Sequence, residues 1–181
     1  MHEYNLASTL LVGLFVLSLT VSRGATPAKP ALAPGAPAPV FEAKDQNDKT
    51  WNLADLIGKK IVLLYFYPKD DTPGCTAEAC GLRDRLGDLK KSQVEVLGAS
   101  FDSADSHRAF IEKYHLNFPL LVDTEGKIAD QYGARIAPTA KMTKRISFLI
   151  GLDGKIAHIT DNGSAAVHLE EMQAAIKKLQ S

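Results

Sequence analysis

Apolar and polar positions along this chain fall into blocks whose period changes. Lys60 to Tyr67 reads KIVLLYFY, a continuous apolar run of strand length, the pattern of a strand covered on both faces. Val94 to Ser100 (VEVLGAS) repeats that pattern, and Phe118 to Val122 predicts a shorter strand. Between them the period lengthens. Thr76 to Lys90 is rich in Ala, Glu, Leu, Arg and Lys and predicts a helix that begins just after Pro73-Gly74. Ser103 to His115 predicts a second helix, with Ser103 as N-cap and Phe110, Ile111 and Tyr114 on one face. Ile128 to Tyr132 predicts a short helix closed by Gly133. Arg145 to Ile150 and Lys155 to Thr160 flank Gly151-Leu152-Asp153-Gly154, a hairpin signal, and Leu169 to Leu179 predicts a closing helix with His168 near its start. Strands interleaved with helices, ending in a hairpin and a helix, predict an α/β fold with a mixed central β-sheet flanked by helices. Trp51 and the aromatic residues of 60–67 are expected in the core.

The N-terminal region breaks this rhythm. Leu6 to Val21 carries no charge, and its 16 residues suit the core of a secretory signal better than a membrane span of about 20. Ser22-Arg23-Gly24 offers a small-x-small cleavage site, while Met1 to Asn5 lacks the Lys or Arg that usually opens a signal. Residues 1–25 are thus expected to be a cleaved signal peptide or an uncleaved membrane anchor through 6–21, with a misassigned start as the third reading. The first two place the folded part outside the cytoplasmic membrane, in the periplasm or on the membrane's outer face. Residues 26–39 hold five of the nine prolines. Such a run favours extended conformations and excludes helix. It marks 26–34 as a Pro/Ala-rich linker leading into a single domain over 35–181.

Charge narrows the partners. Twenty-one basic and 21 acidic residues cancel, and no run of Lys/Arg exceeds two, so nothing favours nucleic acid. The histidines His107, His115, His158 and His168 show no metal-ligand spacing, so no metal or other cofactor is expected. Solvated or helix-capping roles are the ordinary expectation for them.

Both cysteines lie in DTPGCTAEAC, as Cys75 and Cys80. Two thiols do not make a disulfide-rich scaffold. Cys75 falls where an apolar strand has ended and a helix begins. Unpaired N–H groups and the positive end of the helix dipole favour a thiolate there. Pro73 and Gly74 suit a bent backbone with amides turned toward a small ligand, and Thr72 is positioned to bring a hydroxyl beside the sulfur. The neighbouring Asp70-Asp71 reads as turn chemistry rather than an acid/base dyad.

Pro68-Lys69-Asp70-Asp71-Thr72-Pro73-Gly74-Cys75 fits the Pro-x-x-x-Thr-x-x-Cys signature, and YFYPKDDTPGCTAEACGLRD resembles the Q-type, bacterioferritin-comigratory branch of the peroxiredoxins. Weaker matches at Ala38-Pro39-Val40-Phe41, at Asp55 to Lys60 and at Arg145 to Ile150 extend the similarity over about residues 32–181. The resemblance implies a thioredoxin-like fold and a thiol-dependent peroxidase that reduces hydrogen peroxide and organic hydroperoxides. It makes Cys75 the peroxidatic thiol, oxidised to a sulfenic acid. It also gives Thr72 the orientation of the peroxide, Pro68 the shielding of the sulfur, and Arg145 the stabilisation of thiolate and developing charge. Backbone amides at Gly74 and Cys75 are further donors, and Glu78 is the carboxylate that holds the arginine. Arg135 competes with Arg145, but only Arg145 is followed by the expected strand.

Cys80 is implied to be the resolving thiol. On an intact helix it rises about 7.5 Å above Cys75, with Cα atoms about 8.7 Å apart, beyond the disulfide limit of about 7 Å. Resolution therefore requires the first helical turns to unwind, after which a thioredoxin-like donor reduces the disulfide. A plain helical residue or half of a permanent disulfide are the bland readings of Cys80. An intramolecular pair needs no second subunit, which favours a monomer. Leu82 stands where the family usually carries an aromatic residue, predicting looser packing behind the site, and Gly151 replaces a common Asp. The rivals are an exported thioredoxin-like oxidoreductase, against which the Cys-x-x-x-x-Cys spacing speaks, and a peroxide sensor relaying its disulfide to a partner.

Overall fold

The computed structural model describes Met1 and residues 32–180. The expected leader 1–25, the anchor segment 6–21 and most of the linker 26–34 lie outside the described residues. Among the described residues no helix is long and apolar enough to cross a membrane.

The elements follow in the order β1 (Glu42–Lys44), β2 (Thr50–Asn52), α1 (Leu53–Leu56), β3 (Ile61–Phe66), α2 (Pro73–Lys91), β4 (Val94–Ser100), α3 (Ala104–Tyr114), β5 (Leu120–Val122), α4 (Lys127–Tyr132), β6 (Ile146–Ile150), β7 (Ile156–Asp161) and α5 (Ala165–Leu179). The expected mixed α/β fold holds. One five-stranded sheet runs β5-β4-β3-β6-β7; β3 is parallel to β4 and β4 to β5, while β6 is antiparallel to β3 and β7 to β6. The strands with continuous apolar runs occupy the centre, because both of their faces are covered. Every residue of β3 is buried. Ile61, Leu63, Tyr65 and the following Tyr67 pack with α2, Phe110 of α3, and Met172 and Ile176 of α5. Val62, Leu64 and Phe66 pack on the other face with Phe41, Leu53 and Ile128, Ala129 and Tyr132 of α4.

Two elements depart from the pattern-based bounds in ways that matter. Helix α2 begins at Pro73, with Thr72 as N-cap, three residues before the expected start. Proline is accepted at the first helical position, where its missing N–H has no intrahelical partner to lose. Helix α5 begins at Ala165 rather than Leu169, so His168 lies inside its first turn. The β1–β2 hairpin has only three residues per strand and no apolar run, and the sequence pattern gave no sign of it. It is held by Asp45, whose carboxylate accepts from the amides of Asn47 and Lys49 and from Trp51 Nε1 at 2.9 Å. Trp51 is accordingly half-buried against the core. Ser103 caps α3 as expected, its hydroxyl accepting from Ser106 N.

Candidate active site

Cys75 sits in the first turn of α2 and is 1 % exposed. The first intrahelical bond runs from Thr76 N to Thr72 O at 2.8 Å, and Pro73 has no amide, so the N–H groups of Gly74 and Cys75 lie ahead of the helical ladder. Arg145, immediately before β6, reaches across. Its Nη2 lies 3.4 Å from Cys75 Sγ, its Nη1 pairs with Glu78 Oε2, and its Nε donates to Gly163 O at 3.1 Å. The guanidinium is thus fixed on three sides while almost fully buried. A Cβ on Gly74 would stand 2.9 Å from Arg145 Nη2. Gly74 has no positive φ; its missing side chain makes room for the arginine.

The strand pleat explains why Arg145 points this way. Residues 145, 147 and 149 share one side, and Leu149 belongs to the core beneath α2 and α5. Glu78, one turn after Cys75 and on the same side of α2, meets the arginine there and is 1 % exposed. Burial pushes its carboxyl up to about 7, against the opposing pull of the Arg145 charge and hydrogen bond.

Thr72 is half-buried and donates its hydroxyl to Lys69 O at 3.0 Å, which leaves its oxygen as an acceptor at the helix entrance. Pro68 is half-buried just after β3. The connection between them is anchored twice. Asp70, buried, accepts Tyr67 Oη at 2.7 Å and Ser106 Oγ at 2.7 Å, and lies 2.9 Å from His107 Nδ1. Asp71, at φ 57°, pairs on the surface with Lys113 and Tyr114. Those hydrogen bonds draw its carboxyl below the usual range. The turn reading suits Asp71; Asp70 is instead a buried anchor. Arg135 bonds Asp130 and the carbonyls of Glu125 and Ala140, away from Cys75.

Cys80 lies five residues further along the unbroken α2, half-buried, and both thiols are free. Leu82 is buried and lines, with Leu63, Leu89, Leu169, Met172 and Ile176, a cavity of about 190 Å³ between α2 and α5. The close approach of the two helices is set by Gly81, where a Cβ would meet Leu169 Cδ1 at 2.4 Å.

Two histidines overturn the expectation of solvated or capping roles: His107 is 0 % and His168 2 % exposed. His168, with Ser147, stands directly behind Glu78 and was not foreseen as part of the site. His115 does end α3, in left-handed conformation, and His158 is half-buried beside Glu171.

Comparisons with known proteins agree with this geometry. Residues 34–159 match the AhpC/TSA family. The chain is 44 % identical over 142 residues to Peroxiredoxin Bcp of Escherichia coli strain K12, covering 76 % of this chain and 90 % of that one. It is 41 % identical over 128 residues to the chloroplastic Peroxiredoxin Q of Triticum aestivum, covering 71 % and 58 %. Among solved structures, Mycobacterium tuberculosis Peroxidoxin BcpB superposes with a TM-score of 0.77 at 30 % identity, over 83 % of this chain and 99 % of that one. Xanthomonas campestris Peroxiredoxin Q gives 0.71 at 26 %, over 78 % and 92 %. With a buried thiol at a helix start, an arginine on its sulfur and these relatives, the chain belongs to the AhpC/TSA family and is a thiol-dependent peroxidase of the peroxiredoxin type, with a thioredoxin-like fold.

Proposed function

We propose that Cys75 is the peroxidatic thiol and Cys80 the resolving one. The Cys75 thiolate attacks one oxygen of a hydroperoxide; the O–O bond breaks, the sulfur becomes a sulfenic acid, and the second oxygen leaves as water or an alcohol after taking up a proton. The Arg145 guanidinium compensates the negative charge on the sulfur and on the departing oxygen. The Gly74 and Cys75 amides and the Thr72 oxygen hold the peroxide, with Pro68 limiting access of water. Glu78 fixes the arginine. The Cys80 sulfur then attacks the sulfenic sulfur, expelling water and forming an intramolecular disulfide. A thioredoxin-like dithiol reduces that disulfide, becoming oxidised itself. The chemistry needs no metal or other cofactor.

The observation that carries this reading is the 3.4 Å approach of Arg145 Nη2 to a buried sulfur in the first turn of α2. Resolution has a structural cost. The helix runs unbroken through both cysteines, and a Cα separation of about 8.7 Å forbids the bond, so the segment from Pro73 to about Cys80 unwinds before it forms. Cys75, Glu78 and Ala79 leave the core in that step. Resolution within one chain supports a monomer. The uncharged segment 6–21 supports export, as a cleaved signal or as an anchor, with the peroxidase domain on the periplasmic side.

The test is intact-mass measurement within seconds of adding one equivalent of hydrogen peroxide to reduced protein. Wild type is expected to lose two hydrogens and Cys80→Ser to gain one oxygen. No change in either would remove Cys75 from the peroxidatic role.

A further inference from the structure

We propose that Glu78 and His168 share one buried proton behind the active site. That proton decides whether the Arg145 charge is held by a carboxylate or released to the Cys75 sulfur. The inference rests on the peroxidatic reading of Cys75 and deepens it by adding His168 as a positioning residue.

Proton counting carries the argument. His168 Nε2 lies 2.8 Å from Asn162 O, and a carbonyl only accepts, so Nε2 bears a hydrogen. The other ring nitrogen, Nδ1, faces Ser147 Oγ at 2.7 Å and Glu78 Oε1 at 3.4 Å. Glu78 Oε2 is occupied by Arg145, whereas Oε1 is buried without a hydrogen-bond partner among the described residues. With Nε2 bearing the hydrogen, the Ser147 hydroxyl donates to Nδ1, so the ring is satisfied, whereas an ionised Oε1 would lie against that nitrogen with no hydrogen of its own to accept. Buried groups of this kind are almost always paired. A single proton on the carboxyl removes the uncompensated charge at Oε1 and makes that oxygen a donor toward the Ser147–His168 edge.

Burial assigns that proton to Glu78. It raises the Glu78 carboxyl to about 7 and lowers His168 below its ordinary value, so the neutral acid faces the neutral ring. Among the described residues Arg145 is the cation in contact with Glu78, while Lys144 pairs with Asp161 further off. Arg145 faces the pair from the start of β6, Cys75 from α2 and Tyr65 from β3. Glu171 of α5 and Asp161 of β7 act on His168 from its far side. Tyr65 stays un-ionised, pushed well up by burial. Arg145 therefore has two competing anions within reach, the Glu78 carboxylate and the Cys75 thiolate. While Glu78 keeps its proton, the guanidinium charge is directed to sulfur. When the proton leaves, the carboxylate takes its share of that charge.

The experiment compares the reaction of Cys75 with hydrogen peroxide in the full reduced chain and in Glu78→Gln, whose neutral amide imitates the protonated acid. Taking the ratio of the two rates removes pH effects common to both proteins and leaves those that depend on Glu78. The wild-type to Glu78→Gln ratio is expected to fall roughly fivefold between pH 7 and pH 8, as the fraction of neutral Glu78 does. His168→Asn, which removes the ring that accepts the proton, is expected to displace that fall along the pH axis. Infrared spectra should show a neutral-carboxyl C=O band in wild type at about pH 6 that vanishes on alkalinisation and is missing from Glu78→Gln. A pH-independent ratio, or the absence of that band, overturns the proposal. An unmoved fall in His168→Asn removes His168 from it. If neither protein reacts with peroxide, the assignment of Cys75 fails, while the infrared band still decides where the proton lies.

Discussion

Two buried histidine–carboxylate pairs stand on either side of Cys75, and they are built to opposite standards. At Asp70–His107 every side-chain polar atom has a partner within hydrogen-bonding distance. Asp70 accepts Tyr67 and Ser106 hydroxyls and faces His107 Nδ1, while His107 Nε2 reaches Leu121 O at 3.2 Å, and the Asp70 amide donates to Asp102 at 2.9 Å. At Glu78–His168 one carboxylate oxygen is left without a donor. Two carboxylate–histidine contacts, one through Asp and one through Glu, therefore differ in how they are completed. A closed network pins the segment that carries Pro68 and Thr72 to α3, and its value is rigidity. An open one, on the proposal above, keeps a group near its titration point beside the Cys75 sulfur. A third carboxylate, Asp71, holds the same segment from the solvent side with an exposed ion pair.

This contrast breaks most visibly at the closed pair. Asp70→Ala leaves the Tyr67 and Ser106 hydroxyls and the His107 ring buried without their acceptor, and is expected to destabilise the domain by about 3–5 kcal/mol. Urea unfolding measures it, and a loss no larger than that of a surface substitution would show that the cluster is not an anchor.

At the open pair the expected signature is pH dependence rather than loss. The folded-state value of Glu78 lies above its ordinary 4.5, at about 7, so the folded protein holds this proton more tightly than the unfolded chain. Its contribution is fully present below about 4.5 and is lost as pH rises toward 7. The stability of wild type relative to Glu78→Gln should fall by on the order of 3 kcal/mol across that window and level off above it. Parallel unfolding curves from pH 4 to 8 that keep a constant offset would contradict it.

Gly74→Ala probes the open pair from its other end. The added Cβ meets Arg145 Nη2 at 2.9 Å, so the guanidinium has to shift off the sulfur. Peroxide reactivity of Cys75 is expected to drop by about tenfold to a hundredfold with the helix intact, since small displacements of a positioned group cost rate on that scale. Unchanged kinetics would mean that the arginine accommodates the methyl group at no expense.

The smallest effect belongs to Asp71→Asn. Its partners Lys113 and Tyr114 are solvent-accessible, and surface pairs contribute little. Thermal midpoints and peroxide rates should match wild type within error; a clear drop in either would promote this contact to a second anchor.

Much of the site was legible because its signals are local. The apolar run 60–67, the turn after it and the helix that follows place Cys75 at a helix start whatever the rest of the chain does. The pairing of Arg145 with Glu78 was foreseen through the family resemblance, and the geometry contains it. The misses have physical causes as well. Helix α2 was expected three residues late because Pro73-Gly74 looks like a breaker, while the first helical position tolerates proline and Gly74 yields to the Arg145 side chain just before β6. The β1–β2 hairpin escaped because three-residue strands are too short to show a period, and one buried aspartate stabilises them. His107 and His168 were assigned solvated or helix-capping roles because a histidine carries no sign of its own burial; their partners, Asp70 and Glu78, are distant in the chain.

The sequence by itself determined the strand and helix blocks and the place of Cys75 at a helix N-terminus. Periodicity, turn chemistry and the helix dipole all act within a few residues. The tertiary structure alone decided which carboxylate is satisfied and which is not. That depends on how α3 packs over the segment before α2 and how α5, brought close at Gly81, sets His168 against Glu78. Burial and pairing are properties of the assembled core, so the same Asp–His and Glu–His combinations become an anchor in one place and a proton store in the other.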